Sequence, residues 1–215
     1  AVHSAINAVA AIAAAAAASD EADNVAVTEK PNGFIELGLA PELVQAVADL
    51  GYTQPTSVQS QAIPLAMGAG AEGSRFIDLM VSSQTGSGKT AAFLLPVLHT
   101  LLKQQDEKFA EERADYDRQC AEAAANGEPA PKRNRRKDPT NPRNFKAAVP
   151  GALILCPTRE LAQQVAHDAI DLVRHCKGLR VANVVGGMPY QLQIAKLQNA
   201  DLVVATPGRL LDLQR

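Results

Sequence analysis

A glycine-rich segment at residues 82–90 has the residue types and spacing of a phosphate-binding loop. Gly86 and Gly88 can adopt backbone angles that other residues avoid, so successive N–H groups can turn inward around a polyphosphate at a helix N-terminus. The side chain of Lys89 would reach the β- and γ-phosphates, and the hydroxyl of Thr90 would bind a Mg²⁺ ion that bridges them. These residues therefore predict a nucleotide site in which Lys89 and Thr90 serve catalysis.

The strict motif has Gly at the position that Ser83 occupies, so the segment departs from it by one residue. A flexible Gly-Lys-Thr turn is the alternative interpretation. The flanking sequence favours the phosphate-binding loop, because apolar residues 76–81 predict a strand before it and apolar residues 91–102 predict a helix after it. The predicted nucleotide contacts of the loop are Ser83, Gln84, Thr85, Gly86, Ser87, Gly88, Lys89 and Thr90.

Strands alternate with helices along the rest of the chain. This order predicts an α/β fold with a parallel sheet and with ligands at the carboxyl ends of its strands. Besides the strand and helix that flank the loop, helices are predicted at residues 42–50, 57–67, 159–175 and 191–197, and strands at residues 152–156, 180–185 and 201–205.

Composition indicates a globular protein of 215 residues, 47% hydrophobic and 20% charged. The net charge of -2 gives no general attraction to nucleic acid, so any such binding must come from local clusters. Cys120, Cys156 and Cys176 lack the paired spacing of a zinc site, which predicts reduced thiols in a cytoplasmic protein, without a structural disulfide or zinc. No segment has the length and hydrophobicity expected of a membrane span.

Three segments are predicted to lie outside the folded core. Residues 1–32 are rich in alanine and lack the basic start of a secretory signal, which predicts a low-complexity disordered tail. Residues 103–149 are charged and lack apolar periodicity, which predicts an insertion. Its basic run at residues 132–137 would follow nucleic-acid phosphates or form a solvated linker cluster, and the sequence leaves both open. Residues 69–75 suggest a shorter insertion without a predicted role.

Five short motifs occur in the order found in DEAD-box RNA helicases, and residues 33–215 resemble the first RecA-like domain of that family. Each motif is weak alone, but five in order are specific. The resemblance implies a RecA-like P-loop domain of an ATP-dependent RNA helicase, which hydrolyses ATP with Mg²⁺ and binds RNA through its backbone. The matching segments are the Q motif at residues 51–59, the P-loop at 84–90, motif Ia at 157–162, a glycine pair at 186–187 and motif Ib at 206–209.

The Q motif adds an expectation about the base of the nucleotide. The Gln59 amide can pair in bidentate fashion with the N6 and N7 edge of adenine, which would make the site selective for ATP. Phe34, the aromatic residue upstream of this motif, would stack on the base, or else would pack as a hydrophobic staple before the first helix. The resemblance also places Tyr52 and Gln54 at the ATP site.

The remaining motifs predict a surface for RNA. Arg159 and Arg209 each follow a proline-containing turn after a predicted strand, so both could reach RNA phosphates from neighbouring loops. Either arginine alone would also suit a surface salt bridge. Gly187 and Gly208 allow close approach of a sugar-phosphate chain without base readout. The predicted RNA-binding residues are Pro157, Thr158, Arg159, Gly187, Thr206, Gly208 and Arg209.

The chain departs from the family pattern in ways that bear on activity. We expect a fragment, because Arg215 precedes the position of the family's Asp-Glu-Ala-Asp motif and of its second RecA-like domain with the arginine fingers. Residues 20–23 spell that tetrapeptide, but an alanine run precedes them and they lie upstream of the Q motif. We interpret them as a coincidence, with circular permutation as the alternative.

Two other classes of function remain open at this stage. One is a different P-loop enzyme, such as a small-molecule kinase, against which the Q motif and motif Ia argue. The other is a non-catalytic module that binds nucleotide or RNA. For the isolated chain, we expect weak ATP binding, no RNA-stimulated hydrolysis and no unwinding of a duplex.

Overall fold

The computed structural model describes residues 32–68, 78–132 and 147–214. All of them belong to one unit, Asn32–Arg215. The predicted tail at residues 1–32 and the short insertion at residues 69–75 therefore lie outside the described residues, apart from Asn32. A 3-10 turn at Ile35–Leu37 comes first. The helices and strands that follow are α1 (Pro41–Asp49), α2 (Ser57–Ala66), α3 (Lys89–Ala125), β1 (Ala152–Leu155), α4 (Arg159–Leu172), β2 (Val181–Val184), α5 (Tyr190–Leu197), β3 (Leu202–Ala205) and α6 (Pro207–Gln214).

The three strands form a parallel sheet in the order β1-β3-β2, which confirms the predicted parallel arrangement. Every residue of β3 is buried, as expected of a central strand. The strands also end in register, because Ala205 of β3 lies opposite both Leu155 of β1 and Val184 of β2. The segments that follow the three strands therefore start at one edge of the sheet.

Local sequence signals explain where the first helices begin. Pro41 occupies the first turn of α1, where its missing N–H has no helical partner to lose. Thr56 caps α2 in a capping box: its hydroxyl accepts from the Gln59 backbone N–H, and the Gln59 side chain accepts from the Thr56 N–H. Thr158 caps α4 by accepting from the Leu161 N–H at 3.2 Å.

The predicted strand before the P-loop is not formed by its described residues. Residues 78–81 have no strand assignment, and Met80 is 99% exposed, while residues 76 and 77 lie outside the described part. An apolar run becomes a strand only when a neighbour completes its hydrogen bonds, and β1 pairs with β3 alone in the described sheet.

The first strand, β1, is buried on one face only. Leu153 is 49% exposed and Leu155 is 55% exposed, whereas Ala152 and Ile154 are half-buried against the main core. Alternate residues of a strand point to opposite faces. One face of β1 is therefore packed, and the other is open.

Helix α3 continues 23 residues past Leu102, the last residue of the predicted apolar run, and ends at Ala125. The buried residues of this helix lie between Ala92 and Leu102, and the residues beyond Leu102 are exposed or half-buried, so the charged stretch forms a helix that projects from the core. Lys132 is the one residue of the basic run at residues 132–137 that is described. Among the described residues, no helix combines the length and hydrophobicity needed to cross a membrane.

The cysteines are described as free thiols. Cys156 and Cys176 are buried, and Cys120 is half-buried. Burial raises the pKa of Cys156. Burial, and then the negative charge of Glu42, raises the pKa of Cys176 to about 11. These two thiols are therefore protonated at neutral pH and belong to the core rather than to a reactive site.

Candidate nucleotide and RNA sites

The P-loop has the backbone geometry that its glycines predict. Gly86 has a φ of 81° and Gly88 a φ of 84°, both in the left-handed region that disfavours a side chain. Gly88 is the N-cap of α3, and Lys89 and Thr90 are the first two residues of that helix. The loop therefore presents a helix N-terminus, where backbone N–H groups and the helix dipole favour an anion.

The Lys89 ammonium group lies within its own loop. Its Nζ donates to the carbonyl oxygen of Gln84 at 2.8 Å and to that of Ser83. Ser87 Oγ is buried and has no hydrogen-bond partner. A buried hydroxyl without a partner is costly unless a ligand satisfies it. The residues present therefore fit a polyphosphate, whose oxygens would accept from Ser87 and replace the carbonyls as partners of Lys89.

Gln59 connects the Q motif to the P-loop. Its side chain is 5% exposed, its Oε1 accepts from the Thr56 N–H at 2.9 Å, and its Nε2 donates to the Gly88 carbonyl at 3.2 Å. Each amide atom retains one further bonding position, since Oε1 has two lone pairs and Nε2 has two hydrogens. The same side chain can therefore hold the loop and still offer an acceptor and a donor to a base.

Phe34 does not have the free ring face that base stacking requires. It is 1% exposed and belongs to the main hydrophobic core. This corrects the expectation of stacking and agrees with the alternative, a hydrophobic packing role. A ring in the core gains more from apolar neighbours than it could gain at a solvated site.

The segment around Phe34 packs against the Q-motif turn. Asn32 Nδ2 donates to the Tyr52 carbonyl at 3.1 Å, and the Gly33 N–H donates to the Thr53 carbonyl at 2.9 Å. A Cβ at Gly33 would lie 2.8 Å from Cδ of the rigid Pro55 ring, so this close approach favours glycine. Tyr52 is 54% exposed and is the aromatic side chain that this turn presents to solvent.

A cleft of 790 Å³ lies between α3 and β1 and is lined mainly by apolar side chains. The P-loop residues Lys89 and Thr90 contribute to its wall, as do Leu79 and Val81 of the preceding segment and Leu155 of β1. Open apolar surface therefore adjoins the predicted nucleotide site.

His99 of α3 forms a hydrogen bond with the residue that precedes α1. Its Nδ1 accepts a hydrogen bond from the Ala40 N–H at 3.1 Å, which requires that this nitrogen carry no proton. Burial lowers the pKa of His99, and the positive charge of Lys103 lowers it further. The neutral form is therefore the one that the fold favours.

The predicted RNA-binding residues gather at the carboxyl ends of the strands. Pro157 and Thr158 follow β1, Gly187 follows β2, and Thr206 follows β3, where its N–H donates to the Val184 carbonyl at 3.1 Å. Arg159 meets the glycine pair: a Cβ built on Gly187, whose φ is 86°, would lie 2.9 Å from Arg159 Nη1. Glycine is therefore favoured at residue 187 by its backbone angle, and its missing side chain lets Arg159 lie close to it.

Arg209 is held by a neighbouring helix and loop. Its Nε donates to Gln193 Oε1 at 2.8 Å, and its Nη2 donates to the Met188 carbonyl. Its guanidinium carbon lies 3.8 Å from the centre of the Tyr190 ring, a cation–π geometry. Neither Gln193 nor Tyr190 lies in one of the five motifs, so no sequence signal pointed to either residue.

The motifs suggested that both arginines project from loops, but the structure places both of them in helices. Arg159 begins α4, and Arg209 lies in the first turn of α6, a helix that the sequence analysis did not predict. Pro207 can begin a helix because its ring fixes the φ that a first turn needs. Gly208 lies beside Arg209, and no heavy atom would lie within 4 Å of a Cβ built there. Both helix starts face the strand edge and favour negative charge.

Comparison with known proteins identifies relatives over the part of the chain that carries these motifs. A sequence profile of the family described as DEAD/DEAH box helicase matches residues 56–215. The ATP-dependent RNA helicase SrmB of Haemophilus influenzae is 38% identical over 179 residues, which cover 83% of this chain and 30% of that protein. The DEAD-box ATP-dependent RNA helicase 52A of Oryza sativa subsp. japonica is 38% identical over 194 residues, 90% of this chain and 27% of that protein. The chain thus spans less than a third of the length of these relatives.

Solved structures agree with the fold. The RNA helicase Prp28 from Chaetomium thermophilum bound to ADP matches with a TM-score of 0.55 and 32% identity over 88% of this chain and 36% of that one. Dbp5 of S. cerevisiae bound to RNA and ADP BeF3 matches with a TM-score of 0.52 and 26% identity, covering 86% of this chain and 34% of that one. These likenesses confirm the predicted RecA-like α/β fold with a parallel sheet and flanking helices.

Proposed function

Because the chain belongs to the DEAD/DEAH box helicase family, we propose that it supplies the ATP-binding part and a portion of the RNA path of an ATP-dependent RNA helicase. One observation carries the proposal: the Gln59 side chain bonds to the Gly88 carbonyl at 3.2 Å, so the residue expected to read the base touches the loop expected to hold the phosphates. The cysteine pattern of the sequence supports a cytoplasmic location.

The nucleotide is ATP with Mg²⁺. The loop's N–H groups and Lys89 bind the phosphates, Ser87 donates its unpartnered hydroxyl, and Thr90 holds the metal through its hydroxyl. The metal, when bound, neutralises phosphate charge. Gln59 reads the adenine edge, and the exposed Tyr52 ring, rather than that of Phe34, offers the base a stacking surface. Gln54, beside Tyr52, completes the base side of the site.

The RNA lies across the strand edge and is held by its backbone. Arg159 and Arg209 begin helices there, and their guanidinium groups suit phosphate oxygens. Dbp5, which this chain resembles, has been solved with RNA. The proposed RNA-binding residues are Pro157, Thr158, Arg159, Gly187, Thr206, Gly208 and Arg209.

The 215-residue chain binds ATP without turning it over. Phosphoryl transfer needs a carboxylate that orients water and an arginine finger that meets the developing charge, besides a phosphate cradle. The motifs of this chain provide the cradle, and the tetrapeptide at residues 20–23 is proposed to be a coincidence. Hydrolysis and duplex unwinding are therefore assigned to the whole helicase, which includes a second RecA-like domain.

Titration with a fluorescent ATP analogue tests the nucleotide site. Lys89→Ala removes the ammonium group that faces the phosphates, so we expect at least a tenfold loss of affinity, in line with about 1.4 kcal/mol or more for one charged contact. Lys108→Ala, an exposed change on the same helix, is the matched control and should leave the affinity unchanged. Equal affinities of the Lys89→Ala variant and the parent chain would refute the P-loop assignment.

A further inference from the structure

Gln193 is one of two polar residues that are buried as whole residues among residues 32–68, 78–132 and 147–214, the other being Gln59. It is 1% exposed, and both ends of its amide are used. Its Nε2 donates to the Val185 carbonyl at 2.7 Å, and its Oε1 accepts from Arg209 Nε at 2.8 Å. One buried side chain thus joins the end of β2 to the first turn of α6.

The contacts of Arg209 leave most of its donors available. Its Nε and one N–H of Nη2 are used by Gln193 and by the Met188 carbonyl. A guanidinium group carries five N–H donors, so these bonds leave three for a ligand. Tyr190 covers one face of the group at 3.8 Å and is itself 49% exposed. The arginine is therefore fixed in direction while it keeps the capacity to bind a phosphate.

We propose that Gln193 is a positioning residue for RNA binding: it holds Arg209 in the orientation that meets an RNA phosphate. The inference rests on the RNA role proposed for this strand edge. Gln193 suits the position because an amide both donates and accepts. A glutamate would place a carboxylate against the Val185 carbonyl, and an aliphatic residue would leave that carbonyl and the arginine Nε without their partner. A positioned arginine loses less side-chain entropy when it binds.

The same contacts connect the glycine pair, Gly186 and Gly187, to Gln193. Val185 immediately precedes Gly186 and Gly187, and Met188 follows them, so bonds at both ends of the pair lead to the Gln193–Arg209 couple. Gly187 in turn lies against Arg159. Loss of Gln193 should therefore affect RNA affinity and not nucleotide affinity, because the P-loop makes none of these contacts.

A double-mutant cycle tests the proposal. The affinity of the 215-residue chain for a fluorescein-labelled single-stranded poly(U) RNA is measured by anisotropy for the parent, Gln193→Ala, Arg209→Ala and the double variant, at several salt concentrations. We expect Gln193→Ala to weaken binding about 3- to 10-fold in the parent and to add no further loss to Arg209→Ala. The slope of log K against log salt should fall by about 0.7 for either single change, as for one lost phosphate contact.

Gln191→Ala, an exposed change on the same helix, is the matched control and should bind RNA like the parent. Affinity for a fluorescent ATP analogue should be unchanged in every variant, which shows that the fold is intact. If Gln193→Ala fails to fold, Gln193→Met, of similar length, takes its place with the same expected loss.

The outcomes distinguish the positioning role of Gln193 from the RNA role proposed for the strand edge. Loss of RNA affinity in Arg209→Ala, with full affinity in Gln193→Ala, overturns the positioning role and leaves the RNA role of the strand edge in place. Equal losses from Gln193→Ala with and without Arg209 also overturn it, because the two residues would then act independently. Full RNA affinity in Arg209→Ala overturns both.

Discussion

The two sides of the sheet differ in how completely they are packed. On the side of β2 and β3, every residue of β3 and alternate residues of β2 are buried, and the loops that follow these strands are joined by the contacts of Gln193, Arg209 and Arg159. On the side of β1, alternate residues of the strand are exposed, and the 790 Å³ cleft opens beside the P-loop. The proposed RNA face therefore lies on the more completely packed part of the sheet, whereas the proposed nucleotide face borders open apolar surface.

Lys89 and Arg209, the cationic residues proposed to bind ligands on the two sides, differ in the same way. Lys89 donates to carbonyls five and six residues earlier in its own loop, which leaves one of its three N–H donors for phosphate. Arg209 donates to side-chain and backbone groups outside its own helix, which orient it and leave three donors. Nucleotide binding should therefore rearrange the contacts of Lys89 more than RNA binding rearranges those of Arg209.

The largest expected effect is on stability. Leu202 of β3 is 1% exposed, so Leu202→Ala should lower the free energy of unfolding by about 2–5 kcal/mol. The same change at Leu155 of the neighbouring β1, which is 55% exposed, should cost less than about 1 kcal/mol. Urea unfolding of both variants gives the two values. Equal losses would show that the two sides of the sheet are packed alike.

A smaller effect is expected on base selection. Gln59→Ala removes the amide that is proposed to read adenine, so the preference for ATP over GTP should fall by about 1–3 kcal/mol in competition binding. Gln61→Ala, exposed on the same helix, should preserve the preference. Unaltered discrimination in Gln59→Ala would limit Gln59 to capping α2 and supporting the loop.

The smallest effect concerns pH. The folded state lowers the pKa of His99, so its contribution to stability is complete above the unfolded value of about 6.5 and is lost as the pH falls below it. The melting temperature should therefore drop between pH 7.5 and pH 5.5. In His99→Asn, which keeps an acceptor for the Ala40 N–H but cannot titrate, the drop should be smaller. The same drop in both proteins would exclude His99 as its source.

Local signals predicted much of the fold. Capping residues and helical spacing gave α1, α2 and α4 to within a few residues, because these features act over one or two turns. The strand before the P-loop was predicted from its apolar residues and is absent from residues 78–81, since strand formation depends on a partner that the run itself does not contain. Helix α6 was missed because Thr206–Arg209 reads as a turn in isolation.

The sequence also predicted part of the candidate site. Motif order identified the P-loop and the arginines, and the left-handed angles of Gly86 and Gly88 follow from residue type. The sequence left base stacking and hydrophobic packing of Phe34 both open, and it did not predict the bonds of Gln193, because both features depend on residues distant in sequence. The remaining predicted contacts to ATP and RNA stay predictions.

The chain, which spans less than a third of the length of its helicase relatives, is proposed to bind ATP at its P-loop without RNA-stimulated hydrolysis. Release of inorganic phosphate from ATP and Mg²⁺, measured with and without single-stranded RNA, tests it most directly. We predict no RNA-stimulated phosphate release from the chain, under conditions in which the fluorescent ATP analogue binds. Turnover that rises with RNA and is lost in Lys89→Ala would show instead that the chain hydrolyses ATP by itself.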